Sequence, residues 1–380
     1  MTTVDPEREL VLRRGLEHWL PPRIGATGPI MVGPLQHPAA GQSSDTLLFG
    51  ATWRVGTAMR RERFVLRMEP TDRRLFLDAD VIREARVLRG LETTGVPAPR
   101  VRWTEDDPKV LGAPFFVMSH VPGQVPQGKP SVHASGWLPS LSTADRTKAW
   151  NAALESLVAV HDVAWRSTHP FLVEGDAGSG LARRLEWTSR WYAWVVAGRS
   201  FPITDTALAY LLSEAAAVDE GAPVLVWGDA RPGNMIFDAR CRVAAVIDWE
   251  LATIGPAGID LGHWMAHDEF STDIAGIERL DGIPDREATL VRYERISGRR
   301  VPDLGYFVIL QALLFAVTLV RAADIRVARG LAPPTTRMGH DNPFTQMLAR
   351  RLGLPVPGLA DDYVAHRSSP AVTGRSRMPR

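Results

Sequence analysis

Two short apolar runs, each ending at an aspartate, constrain this chain more than any other feature in it. In "LVWGDARPGNMIF", Leu225 to Phe237, an apolar strand stops at Gly228 and Asp229, and a turn of Arg, Pro, Gly and Asn follows. In "AAVIDWE", Ala244 to Glu250, a second apolar run stops at Asp248. A strand fixes its backbone while the turn after it leaves a side chain exposed, so such ends place reactive groups well. Asp and Asn also occupy turns for local reasons, bonding their own backbone. Either Asp229, Asn234 and Asp248 only make turns, or they converge. Two carboxylates and an amide in this order suit one chemistry: hard cations take such oxygens, and a remaining carboxylate can accept a hydroxyl proton.

Around this segment the pattern divides the chain. "RERFVLRMEP" offers a β-rich stretch around Phe64 to Met68, closed by Pro70, and in "LDADVIREARVLRGL" Val81, Ala85, Leu88 and Leu91 fall at helical spacing. A strand follows near Arg100 to Trp103, and "APFFVMSHVPG" supplies another before Pro122 and Gly123. From Ser131 onwards helices dominate. Ser142 with Asp145 resembles a capping box, and Trp150, Ala153, Leu154, Leu157, Val158 and His161 follow as one stripe. The expected class is α+β in two lobes. Residues 1–40 read as an N-terminal extension of helix and loop, 41–122 as a small sheet-bearing lobe, 123–364 as a helical lobe, and 365–380 as a disordered basic tail. The apolar runs flanking Asn234 read as a hairpin or strand pair set among helices.

Composition narrows the partners. The chain has 380 residues, 45% of them hydrophobic, enough for a sizeable core. With 44 Lys and Arg against 43 Asp and Glu, no overall field gathers nucleic acid or acidic membrane, so neither is an expected partner. The single cysteine, Cys241, excludes an internal disulfide and a thiolate zinc cluster. It fits a reducing compartment, and the first thirty residues lack the apolar core of a signal peptide, so a cytoplasmic location is expected. "FVILQALLFAVTLV", Phe307 to Val320, falls short of the roughly 18 to 20 residues that span a bilayer and reads as a buried helix.

"GDARPGN" followed by "VIDWE" resembles the aminoglycoside phosphotransferase family and its choline-kinase-like relatives, which share the protein-kinase fold. The resemblance covers roughly Gly41 to Val320 and is nearest to the subgroup resembling the kinase-like domain of acyl-CoA dehydrogenase fusion proteins. It implies a small β-rich N-terminal lobe and a larger helical lobe sandwiching ATP and Mg2+, with the γ-phosphoryl group passing to a small-molecule hydroxyl. In that pattern Asp229 is the catalytic carboxylate, and Asn234 and Asp248 bind magnesium. Arg231 either steadies the phosphoryl group or braces the loop. Arg67 stands where the family carries a strand lysine, keeping the charge and adding a two-pronged grip. Glu84, on the inward stripe of its helix, is its implied partner, since an inward carboxylate needs one. Ser43 and Ser44 in "GQSSDT" occupy the place of the phosphate-covering loop, and backbone groups of Ser119 and Val121 in "FFVMSHV" the place of the strand that meets adenine.

Trp227 departs from the pattern, which usually has His before Gly-Asp. An indole only donates and fills more volume, so the loop is expected to pack differently, and a nucleotide-binding module without turnover is the alternative function. Asp260 in "GPAGIDLGHW" is implied as a support of the catalytic loop. His263 and His267 either pack or share a metal with Asp260 or Asp268. Glu250 faces the site or caps a turn. Trp187, Trp191 and Trp194 line a cleft or fill core, core being the commoner fate. The implied acceptor is a hydroxyacyl thioester or another hydroxylated metabolite, with an antibiotic such as an aminoglycoside also open.

Overall fold

The computed structural model describes residues 2–38, 45–70, 74–173 and 178–368. Alternation builds the small lobe. In strand Asp45–Val55, Leu47, Phe49, Ala51 and Trp53 point inward, and a turn at Gly56 and Thr57 returns the chain along Ala58–Met68, where Phe64 and Leu66 join the same core. The register runs unbroken from Asp45 opposite Met68 to Val55 opposite Ala58. Phe115–Ser119 pairs with the second strand, and Val101–Glu105 with Phe115–Ser119, all antiparallel.

Residues 2–38 pack with this lobe. Met31–Val32 and Gln36–His37 pair with Asp45–Val55, and Thr2–Thr3 pairs with Gln36–His37. Helix Pro6–Trp19 buries Leu12, Leu16 and Trp19 in the core that holds Phe49, Phe64 and Phe115. Its apolar stripe covers the sheet, which would otherwise present an aromatic face to water.

Helix Val81–Leu91 starts where the Asp80 carboxylate accepts the Arg83 N–H at 2.8 Å. Its stripe, Val81, Ala85, Leu88 and Leu91, shares one core with Val101 and Phe116 of the sheet and Leu154 and Leu157 of the helical lobe. The preceding loop is fastened to the helical lobe. Trp191 Nε1 donates to the Leu75 carbonyl at 2.9 Å, Phe76 packs on Trp187 and Trp191, and Arg190 pairs with Asp78 at 2.6 Å. The tryptophan stripe of helix Gly180–Val196 is thus core and clasp, with Arg321 lying over Trp194.

In the helical lobe, Leu304–Ala328 is longer than the apolar run suggested. Its most apolar 18 residues have a mean hydropathy of 2.0, so by length and composition it could cross a bilayer; 72% of that stretch is buried, much of it against helix Gly258–Glu269. Burial, not shortness, makes it a core helix here. The final helix, Asp361–Ser368, runs past the expected boundary at 364.

The runs flanking Asn234 do not pair with each other. Val224–Val226 pairs with Thr253–Gly255, and Met235–Phe237 with Val243–Val246. Two ladders therefore stand side by side, and the loops 227–234 and 247–252 both span the gap between them. That topology brings the loop of Asp229 against the loop of Asp248. The lobes join nearby, where Gln124 and Phe237 exchange both backbone bonds, at 2.8 and 2.7 Å. A Cβ on Gly123 would sit 2.5 Å from the Phe237 carbonyl oxygen, so the crossing excludes a side chain.

Candidate active site

The 227–234 loop is held from beneath by one carboxylate. Asp260, fully buried, accepts the backbone N–H groups of Trp227 and Gly228, each at 2.7 Å, and lies 3.1 Å from His161 Nε2. His161 Nδ1 in turn meets the Tyr293 hydroxyl at 2.7 Å. Gly228 takes φ 95, and a Cβ there would meet the Leu251 carbonyl oxygen at 2.5 Å. The sequence pattern missed His161 and Tyr293 as supports. The available signal was a histidine at the end of an apolar stripe, since a buried imidazole requires partners.

Trp227 is where expectation and structure differ most usefully. Its indole is fully buried, and its one N–H is shared by the carbonyls of Ile247 at 3.0 Å and Asp248 at 3.1 Å. The indole therefore joins the two loops. A second tie is the Ile247 N–H, which donates to the Asn234 carbonyl at 3.0 Å.

Asp229 Oδ1 accepts from Arg231 Nε at 3.0 Å and lies 2.6 Å from His263 Nε2. Arg231 thus braces the aspartate. The Asn234 side chain donates to the Asp229 carbonyl at 3.2 Å. Burial alone would push the Asp229 carboxyl up; the Arg231 charge, with hydrogen bonds from His263 and Asn234, outweighs it and holds the group well below the usual carboxylate range.

Across the cleft, Arg67 is a hub. Its Nε donates to Glu84 at 2.9 Å, its Nη2 to Asp248 at 2.7 Å and its Nη1 to Thr46 at 3.2 Å, while Glu250 lies 3.7 Å away. Arg67 and Glu84 are 7% and 4% exposed. Burial opposes the Arg67 charge, but Glu84, Asp248 and Glu250 together raise its pKa above an already high ordinary value. For Glu84 burial dominates and pushes the carboxyl up, against the pull of Arg67. Asp248 adopts φ 67, left-handed backbone that is uncommon outside glycine and recurs at functional sites.

Of the other expected site residues, Ser43 and Ser44 lie outside the described residues. Ser119 is corrected in part: its N–H donates to the Arg100 carbonyl at 2.9 Å, so that amide is spent within the sheet. Val121 lies just beyond the strand, at the crossing between lobes. Glu250 faces the site. Among the described residues no cluster of His, Cys, Asp and Glu could hold a metal through His263 and His267. Asp260 is occupied as above, and Asp268 is bound by Arg279 at 2.6 Å and Arg286 at 3.1 Å. His267 is kept neutral, its pKa well below the ordinary value through burial first and then the Arg231 charge.

These parts define a two-lobed α+β phosphotransferase architecture of the protein-kinase kind, with the motif loops facing an arginine and glutamate of the small lobe. Residues 41–292 match the phosphotransferase enzyme family, and the chain belongs to it. Human acyl-CoA dehydrogenase family member 11 is 29% identical over 260 residues, which cover 66% of this chain and 32% of that protein. The chain thus spans about a third of the length of the curated relatives it matches. A Ralstonia eutropha structure assigned to the aminoglycoside phosphotransferases is 26% identical, covering 90% of this chain and 98% of its own, with a TM-score of 0.65. Aminoglycoside phosphotransferase APH(4)-Ia, in a ternary complex with ADP and hygromycin B, shares the fold at 16% identity and a TM-score of 0.52, covering 89% of this chain and 98% of its own.

Proposed function

We propose that this chain is an ATP- and Mg2+-dependent kinase acting on the hydroxyl of a small molecule. The observation that carries the reading is the tying of two loops across two ladders, which sets the loop of an ionised Asp229 against the loop whose Asp248 meets Arg67. The donor set fits the cofactors: Asn234 and Asp248 offer the amide and carboxylate oxygens a hard cation takes, and Asp248 already draws a cation, Arg67. When bound, magnesium ATP supplies the γ-phosphoryl group. Arg67, anchored by Glu84, would hold phosphate oxygens through its guanidinium. Asp229 orients the acceptor hydroxyl and takes its proton as negative charge develops on the oxygen. Arg231 keeps that carboxylate ionised and in place. Preorganised charge and positioning account for most of the catalysis expected of such a site.

The surroundings of Asp229 support a substrate of low positive charge. From His263 an aromatic series runs through Phe315 at 4.6 Å and Phe344 at 4.5 Å to Phe270 at 4.9 Å, packed on the core of the helical lobe. Nearby acids are compensated, Asp268 by Arg279 and Arg286 and Glu269 by Arg351. A polycation would find few unpaired carboxylates there, which favours an acceptor without several positive charges, such as a hydroxyacyl thioester. The likeness to an acyl-CoA dehydrogenase family member supports the same class, and the likeness to an assigned aminoglycoside phosphotransferase keeps an antibiotic acceptor as the second reading.

The deciding experiment is ADP release from magnesium ATP with hydroxyacyl thioesters, free hydroxy acids and aminoglycosides as separate acceptors. Stimulation by a hydroxyacyl compound, lost in Asp229→Asn, is the expected result. Stimulation by aminoglycosides alone selects the second reading. ATP binding with no turnover against any acceptor makes the chain a nucleotide-binding module.

A further inference from the structure

Resting on the reading of Asp229 as the carboxylate that meets the acceptor, we infer that His263 is a positioning residue for Asp229, with its ring set by Gln311. His263 Nε2 lies 2.6 Å from Asp229 Oδ1, and its Nδ1 lies 3.3 Å from Gln311 Oε1. His263 is 4% exposed and Gln311 fully buried, so water does not mediate freely between them.

The proton assignment follows from who can donate. Two atoms that present only lone pairs repel at 2.6 Å, so a proton lies between Nε2 and the carboxylate. With the amide oxygen of Gln311 toward Nδ1, that nitrogen needs a proton as well. Two buried groups then lack an aligned partner: Gln311 Nε2 and His263 Nε2. The oxygen and nitrogen of a glutamine amide exchange places by a half turn and look alike to diffraction-scale geometry. Turned over, Gln311 Nε2 donates to Nδ1, and the ring presents a proton on Nε2, facing Asp229. One arrangement gives both donors work. A carboxylate acceptor shortens and strengthens such a bond, and catalytic hydrogen bonds commonly align fully only when the reacting partner is present.

The consequence is geometric. Arg231 Nε reaches the same Oδ1 at 3.0 Å, so two donors from different elements converge on one carboxylate oxygen. That fixes the carboxylate's rotation and selects the oxygen left to turn toward an acceptor. Arg231 lies within the loop and moves with it, whereas His263 projects from helix Gly258–Glu269, which also carries Asp260 beneath the loop. One rigid helix therefore sets both the backbone and the side-chain orientation of the catalytic loop.

The test uses the full chain and magnesium ATP hydrolysis with water as acceptor, beside nucleotide binding by titration. His263→Phe is expected to lower kcat about 10- to 100-fold while the Kd for magnesium ATP moves by less than about 2-fold. His263→Gln, which keeps an N–H donor, is expected to recover part of that loss, and Gln311→Leu to lose about 3- to 10-fold. A His263→Phe enzyme within about 2-fold of the parent kcat, or equal losses in His263→Phe and His263→Gln, overturns the inference. If His263→Phe fails to fold, imidazole nitrogen NMR of the unaltered chain decides, with the signal assigned by its loss in His263→Gln: protonation on Nε2 supports the inference, and a ring protonated only on Nδ1 overturns it. Asp229→Asn separates the two levels. If it is inactive and His263→Phe is not, only the positioning role falls; if Asp229→Asn hydrolyses ATP at the parent rate, the reading of Asp229 falls and the positioning role with it.

Discussion

The two halves of the site are built from opposite materials. The half around Arg67 is dense in charge: one buried guanidinium faces Glu84, Asp248 and Glu250, so its carboxylates outnumber its cation. The half around Asp229 holds one carboxylate among an arginine, a histidine and an aromatic wall. Excess negative charge suits a place that receives metal and must otherwise be compensated. A single, firmly ionised acid suits a place that must orient one hydroxyl. The first half is specified by charge and the second by geometry, so the two should fail differently.

The largest effect is expected on the geometric side. Asp229→Asn keeps the shape and removes the proton acceptor, so acceptor-dependent turnover should fall by about 10²- to 10⁴-fold with nucleotide binding nearly intact, measured as kcat beside a titration. A comparable loss of nucleotide affinity would erase the contrast between the halves. Arg67→Met should act in the reverse sense. It strands Glu84 among apolar neighbours and frees Asp248, and a cost of about 3 to 5 kcal/mol in unfolding free energy is expected, together with lost nucleotide affinity. A variant combining Arg67→Met with Glu84→Leu should recover much of the stability and none of the affinity, which denaturant unfolding and titration would show.

Smaller effects probe the seam between the halves. Trp227→Phe removes the indole N–H that ties the loops while keeping an aromatic ring, and about 1 to 2 kcal/mol of stability should be lost in denaturant unfolding. The smallest effect is in pH. Because the Asp229 carboxyl is depressed in the folded chain, its contribution to stability is present above the ordinary carboxylate value and is lost as pH falls through the lowered value. The stability gap between the parent and Asp229→Asn should therefore be flat near neutrality and narrow below about pH 4. A gap that widens on acidification would show that Asp229 is not held ionised by its neighbours.

What the sequence disclosed follows the same division. Asp229, Asn234 and Asp248 stood out because apolar runs ending at polar turns are local patterns, and Glu84 because an acid interrupts an apolar stripe. The pairing of the ladders was not legible. Strands of three or four residues carry too little pattern to choose partners, and Val224–Val226 finds its own across the whole second hairpin. Residues 1–40 were read as an extension for a similar reason, since strands of two residues leave no alternation to detect. His263 was visible only as one of two histidines four apart, a spacing that says they share a helix face and not what that face meets. Trp227 was noticed for its bulk, yet the direction of its N–H depends on where the second loop lies, which no local pattern encodes.

The clasp around Phe76 makes helix Val81–Leu91 an element that both lobes hold. It packs on strands Val101–Glu105 and Phe115–Ser119, while Arg83 donates to the Ala252 carbonyl at 2.9 Å and the loop before it is tied to Trp191 and Arg190. Arg67, on the sheet, meets Glu84, on this helix, at 2.9 Å. The anchor of the guanidinium is therefore fastened from two sides, which fixes where the arginine can reach.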